Sequence, residues 1–313
     1  MANYAPPPPL DTAAASMIME PPEQGEGNWI GAPCVHRHDD TTYLAVRERN
    51  PDDRGHAIAI YEREALDAYT ERIRITATEL GVTSIERPAL TTDPDSGNLK
   101  LYLPVDAHRN CWHIEKLADA EDPAAFDPTT AHDVVRPASG HTDRSTVKDP
   151  YVITTGGKYY MFYAGSDGDS TRAHLATSID GETWTRRDDP IVHSQFWHDE
   201  RTRVSCVVPA PDAPIWYVFY DGSGRTDYGS TWNLRTGLAI STDLRTFEDT
   251  SPQGPIVSAP TADHRLAPQS FATCRYMDVL LTDDGWDVFF EMAREDGSFA
   301  LYHQRLTEAQ FRS

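Results

Sequence analysis

The chain has 313 residues, of which 39% are hydrophobic, enough for one large domain or two small ones. Its 49 acidic residues outnumber 28 basic ones, only four of which are lysines, and the formal net charge is -21. A surface with this charge disfavours nucleic acids and anionic membranes as partners, and the shortage of lysine is typical of proteins from salt-loving organisms.

The first 24 residues contain four consecutive prolines, Pro6 to Pro9, and lack both a basic stretch and a sustained apolar run. These features argue against a signal peptide, and no later stretch reaches the ~20 apolar residues of a membrane span. The four cysteines show no CxxC spacing, which favours reduced core thiols over disulfides or a metal site. We therefore expect a cytoplasmic protein with a proline-rich segment over residues 1–24 and a single domain over residues 25–313.

Short apolar runs rich in aromatic and β-branched residues, bounded by Gly or Asp, predict strands rather than helices. The clearest group lies between residues 147 and 184. There an apolar run turns at Gly156-Gly157 and returns over residues 159–163. A third run follows at 173–178, and residues 183–187 supply an outer edge. This segment predicts one four-stranded antiparallel sheet.

The same order of apolar run, turn and aromatic return recurs along the chain. Five copies begin at Ala32, Arg87, Asp149, Ser205 and Tyr276. A repeat of this size is typical of a propeller, in which every sheet packs against its neighbours. The sequence therefore predicts an all-β fold, a five-bladed β-propeller of four-stranded antiparallel blades.

Irregular segments connect the predicted strands. An acidic loop or short helix is expected at 119–128, and polar loops are expected at 132–147, 193–203 and 221–233. Long loops in an all-β domain usually form a binding face. The segment before Arg275 is a candidate for an extra strand that helps to close the ring.

Two groups of residues should meet at the central opening, because the first strand of each blade begins at the face to which the second strand returns. Aligning YYMFYAG, WYVFYDG and WDVFFEM identifies the equivalent ends of three second strands. The first-strand starts supply Glu86, Arg87, Lys148, Asp149, Arg203, Ser205 and Arg275, and the second-strand ends supply Arg47, Glu48, Ala164, Asp221 and Glu291. Carboxylates and arginines are thus expected in one funnel.

Asp149-Pro150, the run GGKYYMFY at 156–163 and the SxDGxxW turn at 178–184 resemble a blade of the five-bladed β-propeller glycosidases. This grouping covers the arabinanase-like families 43, 62 and 117, the invertase-like families 32 and 68, and the mannoside phosphorylases of family 130. The resemblance extends over residues 28–306 as architecture, with motif-level matches in blades three and four. It implies a carbohydrate as substrate.

The resemblance also implies acidic residues at fixed places. The arabinanase-like enzymes have an Asp base in blade one, an orienting Asp in blade three and a Glu acid in blade four. Asp149 matches the second, whereas Ala32 and Ser205 stand at the other two. The invertase-like nucleophile is missing from residues 28–33. The phosphorylases match at Lys148-Asp149, but Arg87 replaces their acid.

Glycoside cleavage needs one protonated carboxyl and, on the other side, an ionised carboxylate or a bound phosphate. The candidates for these catalytic roles are Asp149, Glu291, Glu86 and Asp221. Each has a structural alternative, as the partner of a basic side chain, a turn cap or a solvated loop residue.

Other residues at the opening are candidates for substrate binding. Arginines either neutralise the acids or bind an anionic sugar or phosphate through their planar forks. Aromatic residues either stack on a sugar or belong to the core. The candidates are Arg47, Arg87, Arg203, Arg275, Trp29, Tyr228 and Trp232. His36 is either a core histidine or a ligand of a structural cation in the central channel, where some of the resembling proteins place one.

Three functions follow from these residues. The leading hypothesis is a glycosidase that hydrolyses a small oligosaccharide or glycoside without a redox cofactor. The second is phosphorolysis or action on an anionic sugar, which the arginines favour. The third is a non-catalytic carbohydrate-binding propeller, which Ala32, Arg87 and Ser205 favour, since they stand where the resembling enzymes have acids.

Overall fold

The computed structural model describes residues 7, 9–187, 189–192, 196–211, 213–260, 272–307 and 310. Strands dominate these ranges. The helices there are α1 (Ala77–Leu80) and three 3-10 turns, Pro123–Ala125, Pro128–Thr130 and Phe196–His198. Within the described residues, no helix has the length and apolar character needed to cross a lipid bilayer.

The strands form five antiparallel groups, which are the blades of a propeller. The first strand of the chain, β1 (Ser16–Met19), belongs to the last blade. Blade one contains β2 (Trp29–His38), β3 (Thr41–Arg49), β4 (Ala57–Ala65) and β5 (Ala68–Thr76). Blade two contains β6 (Ser84–Ile85), β7 (Ala89–Thr92), β8 (Leu99–Asp106), β9 (Trp112–Lys116) and β10 (His132–Val135).

The remaining blades follow in chain order. Blade three contains β11 (Thr146–Thr155), β12 (Lys158–Ser166), β13 (Thr171–Ser178) and β14 (Thr185–Arg186). Blade four contains β15 (Arg201–Pro209), β16 (Trp216–Ser223), β17 (Arg235–Ser241) and β18 (Glu248–Asp249). Blade five contains β19 (Cys274–Thr282), β20 (Gly285–Ala293) and β21 (Phe299–Thr307) in addition to β1.

The innermost strands close a ring. Strand β2 contacts β7, β7 contacts β11, β11 contacts β15, β15 contacts β19, and β19 returns to β2. These strands are largely buried, whereas the outer strand β5 has a single buried residue, as expected when sheets pack face to face around an axis. The predicted all-β propeller fold is therefore confirmed, and its strands fall into five groups around the ring.

The N-terminal segment takes part in the last blade. Ser16 pairs with His303 and Met17 pairs with Tyr302, so β1 forms the outer strand of blade five. The segment predicted as separate over residues 1–24 thus contributes one strand to the propeller. The extra strand expected just before Arg275 lies mainly in residues 261–271, outside the described residues.

Three predicted loops begin or end in strands instead. Residues 132–135 form β10, because their backbone pairs with β9 at the exposed edge of blade two, where charged residues are tolerated. Strand β15 begins at Arg201 and β16 continues to Ser223, since pairing extends beyond the apolar core of each strand. The acidic segment 119–128 contains a 3-10 turn, in agreement with the expected loop or short helix.

The heads of the inner strands share one distortion. Strand register shifts just after Gly31, Lys148 and Arg275, at equivalent places in blades one, three and five. The residues that follow have left-handed backbone angles: φ is 50° at Ala32, 52° at Asp149 and 54° at Tyr276. Such angles are unfavourable for residues other than Gly and are concentrated at functional sites. The first strands of these three blades thus share the bulge. It occurs at Ala32 and Tyr276 as well as at the acidic Asp149.

Candidate active site

Strand pairing brings the residues named from the sequence to one end of the propeller. Ala164 lies opposite Lys148, Asp221 opposite Arg203, and Glu291 opposite Arg275. Arg47 lies opposite Gly31 in blade one. Charged residues from four blades therefore meet where the bulged first halves of the inner strands converge.

Glu291 is completely buried between two arginines. Its Oε2 accepts a hydrogen bond of 2.6 Å from Arg47 Nη2, and its Oε1 accepts one of 2.8 Å from Arg275 Nε. A Cβ atom at Gly31 would lie 2.4 Å from Oε2, so the carboxylate occupies space that only glycine leaves free. This geometry fixes Glu291 in the core as the partner of two cations.

Asp149 and Asp221 share a third arginine. Arg203 Nη1 donates to Asp149 Oδ2 at 3.0 Å, and Arg203 Nε donates to Asp221 Oδ2 at 2.9 Å. The guanidinium carbon lies 3.4 Å from the centroid of the Tyr276 ring, and the Tyr276 amide also donates to Asp221 at 2.9 Å. Burial raises the pKa of Asp221, although Arg203 opposes the shift. Both acids are thus held in one buried network with Arg203.

Glu86 has a different environment, because it reaches the surface of a cavity. Its carboxylate lies 3.3 Å from Arg54 Nε, 3.6 Å from Arg49 Nη1 and 3.6 Å from Arg47 Nε. Burial favours the protonated form, but these arginines outweigh it and hold the pKa of Glu86 well below its usual range. Glu86 is therefore ionised at neutral pH and has no proton to donate.

Arg87 lies in the middle of the ring and is completely buried. Its Nε and Nη2 donate to the carbonyl of Pro33 at 3.1 and 3.0 Å, and its guanidinium lies over the Tyr151 ring. Asp278 Oδ2 is 3.9 Å from Nη2. Burial raises the pKa of Asp278 to about 6, against the opposing charge of Arg87. Arg87 is a core cation that joins blades, away from the cavity wall.

His36, the sequence candidate for a cation ligand in the channel, has a protein partner. Its Nε2 lies 2.7 Å from Thr92 Oγ1 of blade two. Burial lowers the pKa of His36 to about 4, and the nearby His38 adds to the effect. The neutral imidazole therefore links blades one and two as a half-buried, hydrogen-bonded residue.

A cavity of about 360 Å³ opens above these buried groups. Its lining includes six cationic side chains and one carboxylate, that of Glu86. The cations are Arg49, Arg54, Lys148, Arg201, Arg203 and Arg275. In a chain with a net charge of -21, this is a local reversal of sign. Asp149 lines a small adjoining pocket. Asp221 and Glu291 line neither the cavity nor that pocket.

Aromatic side chains complete the cavity wall. Trp29 stacks on Phe299 with ring centroids 4.4 Å apart, and Trp232 lies 6.3 Å from Trp29. The wall also contains Trp112 and Tyr276. Tyr228 was a sequence candidate together with Trp29 and Trp232, but it does not line the cavity. It is 43% exposed and packs edge-on against Trp232.

Lys148 stands apart from the other cations. Within the described part of the chain its ammonium group makes no hydrogen bond or ion pair, and it lies 5.3 Å from the centroid of the Trp112 ring. Burial lowers the pKa of Lys148 to about 8, with Arg54 and Arg201 adding to the effect and Asp149 and Glu86 opposing it. The nitrogens Arg203 Nη2 and Trp29 Nε1 are also buried without a partner among the described residues. These donors are available to a ligand.

Among the charged and tryptophan side chains of the lining, sequence reasoning missed four, namely Arg49, Arg54, Trp112 and Arg201. Alternation along a strand could have found Arg201, because residues two apart face the same side and Arg203 was already a candidate. Arg49 could have been found in the same way from Arg47 in β3. Arg54 and Trp112 carried no comparable signal, since they reach the cavity from a loop and from the third strand of blade two.

The chain has the fold of the five-bladed β-propeller glycoside hydrolases. No protein-family model matches its sequence, and no curated protein does. One similar solved structure is a glycoside hydrolase, with a TM-score of 0.70, 14% identity and coverage of 96% of this chain and 92% of that one.

Two further solved structures illustrate the range of this fold. An α-L-arabinofuranosidase from Lactobacillus brevis has a TM-score of 0.66 at 14% identity, covering 88% of this chain and 90% of that one. A β-1,2-mannobiose phosphorylase from Listeria innocua, in complex with β-1,2-mannobiose, has a TM-score of 0.61 at 11% identity, covering 94% and 96%. The fold thus occurs in both hydrolases and a phosphorylase.

Proposed function

We propose that the protein acts on a small oligosaccharide or glycoside that carries a negatively charged group, and that this group binds in the cavity. The observation that carries the proposal is the lining itself, where six cations face one carboxylate. Arginine forks bind carboxylate, sulfate and phosphate groups bidentately, and Lys148 adds an unpaired ammonium group. Glu86, Asp149, Asp221 and Glu291 compensate part of this charge, and a neutral sugar would leave the rest without a counter-charge.

The cavity also suits a sugar ring. Trp29, Trp112 and Trp232 line the cavity beside the cations, within a wall that is otherwise mostly polar. Its volume of about 360 Å³ lies at the small end of the usual range for ligand pockets. The similarity to solved carbohydrate-active propellers supports a carbohydrate as the ligand.

The carboxylates do not form the pair that hydrolysis usually requires. Glu86 faces the cavity but is kept ionised, while Asp149, Asp221 and Glu291 are bound to arginines. Paired mechanisms need a second carboxyl that can donate a proton. Ala32 and Ser205 cannot supply one. Hydrolysis would therefore depend on Glu86 together with a proton donor of another type.

Phosphorolysis is a second candidate for the same cavity. An inorganic phosphate bound by the cations would attack the sugar in place of a carboxylate base, which the head of blade one lacks at Ala32. The Lys148-Asp149 pair matches the phosphorylase pattern, and a mannobiose phosphorylase shares the fold. Addition of phosphate to the assay separates this function from hydrolysis.

Binding of matched charged and neutral sugars tests the proposal. An oligogalacturonide is compared with the same oligosaccharide after reduction of its carboxyl groups, with calorimetry as the readout. Arg54→Met should weaken binding of the charged sugar on the order of 5-fold, the effect of one partly exposed ion pair. The control is Arg136→Met, since Arg136 is similarly exposed and paired with Asp133, away from the cavity.

Two results would decide against the proposal. Equal affinity for the charged and the reduced sugar would show that the cations do not select the ligand. Equal losses in the Arg54 and Arg136 variants would place binding outside the cavity. Binding of the charged sugar without any cleavage product would instead favour the non-catalytic carbohydrate-binding function.

A further inference from the structure

We propose that the cavity cleaves a uronate-containing oligosaccharide by β-elimination, with Lys148 as the base that removes the proton from C5 of the uronate. This inference rests on the proposed binding of an anionic sugar and adds the substrate class and the reaction. It follows from which charged groups reach the cavity and which are already paired.

The first argument is that Lys148 is the one cation of the lining without an acidic or hydrogen-bonded partner among the described residues. Arg49 and Arg54 lie beside Glu86, Arg203 and Arg275 bind buried acids, and Arg201 donates to Thr171 at 2.8 Å. Lys148 is half-buried, and its ammonium nitrogen is not among the enclosed polar atoms, so it reaches the open space of the cavity. Lys148 is therefore free to contact a ligand.

The second argument concerns the groups that elimination needs. It needs a base and a cation beside the uronate carboxylate, which the cavity has, and it does not need the protonated carboxyl that the cavity lacks. A uronate becomes acidic at C5 only when its carboxylate is neutralised, and the guanidinium group of Arg203 lines both the cavity and its adjoining pocket together with Lys148. Arg203 Nη2 is buried and has no partner, so one donor is available for that carboxylate. Elimination requires no protonated carboxyl and no attacking water.

The reaction balances within the substrate and Lys148. The neutral amine takes the proton from C5, and the electron pair of that C–H bond forms a double bond between C5 and C4. The C4–O4 bond breaks and its electron pair leaves on O4. The proton held by Lys148 is returned to O4 directly or through solvent. The products are a new reducing end and an unsaturated uronate, with no water consumed.

The surroundings of Lys148 suit proton transfer. Burial and the charges of Arg54 and Arg201 lower its pKa to about 8, while Asp149 and Glu86 oppose the shift. A base is most effective when its pKa lies near the working pH, and desolvated lysines are used in this way. Below that pKa the ammonium form would bind the anion without removing a proton, so the rate should rise with pH.

The test measures two products of the same reaction. The protein is incubated with an oligogalacturonide and separately with an oligoglucuronide. New reducing ends and the ultraviolet absorbance of the unsaturated uronate are followed together. Elimination predicts that both rise in equal amounts and that no labelled oxygen enters the new reducing end from labelled water. The initial rate should increase as the pH rises through about 8.

Variants of Lys148 assign the base. Lys148→Arg keeps the charge but cannot become neutral, so affinity should change less than about 5-fold while kcat falls by ~10²–10⁴, the usual contribution of a general base. Lys148→Ala should behave similarly in kcat and regain part of the rate when a small primary amine is added. Lys158→Met is the control, because Lys158 is an exposed lysine at the far end of the same strand pair.

The outcomes separate this inference from the proposed function. Reducing ends without the absorbance would establish hydrolysis and overturn elimination while leaving anionic-sugar binding intact. Tight binding of uronates without any product would overturn it in the same way. A full rate in Lys148→Arg would refute Lys148 as the base. Failure to bind either uronate would remove the proposed function, and this inference would be lost with it.

Discussion

Glu291→Gln distinguishes a structural carboxylate from a catalytic one. Glu291 accepts hydrogen bonds from Arg47 and Arg275 on separate oxygens and is completely buried. Glutamine has nearly the same shape but replaces one of these oxygens with an NH₂ group, which cannot accept from a guanidinium. One arginine would therefore face a donor in the core and lose its compensating charge.

The expected effect is large. Removing one partner of a buried ion pair costs ~3–5 kcal/mol, because the other charge stays desolvated. An unfolding entropy of about 2.1 cal/mol/K per residue gives ~0.7 kcal/mol/K for a chain of this length, so Tm should fall by ~5–8 °C. Glu248→Gln should change the free energy of unfolding by less than ~0.5 kcal/mol, since Glu248 lies exposed on the outer strand β18.

Thermal unfolding followed by circular dichroism measures both variants against the wild type, and calorimetry measures binding of the charged sugar below the transition. A structural role predicts a lower Tm with near-normal affinity in the folded protein. If Glu291→Gln keeps its Tm and binds the sugar but no longer turns it over, the carboxylate is catalytic. The assignment of Glu291 to the core would then be wrong.

The remaining predictions concern packing, pH and salt. Gly31→Ala should destabilise the fold and displace Glu291, because the added methyl would lie 2.4 Å from its Oε2; loss of Tm without loss of expression would show it. Burial raises the pKa of Asp278 to about 6 in the folded state, so the folded protein holds this proton more tightly and stability falls as pH rises from about 4 to about 6. Asp278→Asn should therefore gain up to ~3 kcal/mol relative to wild type between these pH values in paired urea titrations. Affinity for the charged sugar, but not for its reduced form, should fall between ~0.1 and ~1 M salt, since screening shortens the reach of the cations.

The fold could be predicted because each blade repeats a local signal. Apolar β-branched and aromatic runs end at Gly or Asp, and these runs define the strands of blade three from its sequence alone. Strands β1 and β10 were missed because backbone pairing at a sheet edge, rather than an apolar pattern, holds them. Local sequence does not encode which edge a polar segment will join.

The sequence predicted where the charged residues of the site lie. It did not predict which of them face solvent and which are paired with one another. Alignment of second-strand ends identified Asp221 and Glu291, and strand pairing places both opposite arginines at the blade heads. Whether such an acid faces solvent or a guanidinium depends on side chains from another blade, as for Arg47 beside Glu291. The sequence therefore indicated a funnel of acids and arginines, whereas the cavity surface is predominantly cationic.

Strand β1 joins the two ends of the described chain, because Ser16 meets His303. Blade five can be completed only after β21 has been synthesised and has paired with β1, which precedes it by most of the described chain. Contacts so remote in sequence slow folding, and until they form β21 offers an unpaired edge to other molecules. Trimming the segment up to Met19 should therefore promote self-association, even though every residue of the cavity would remain in place.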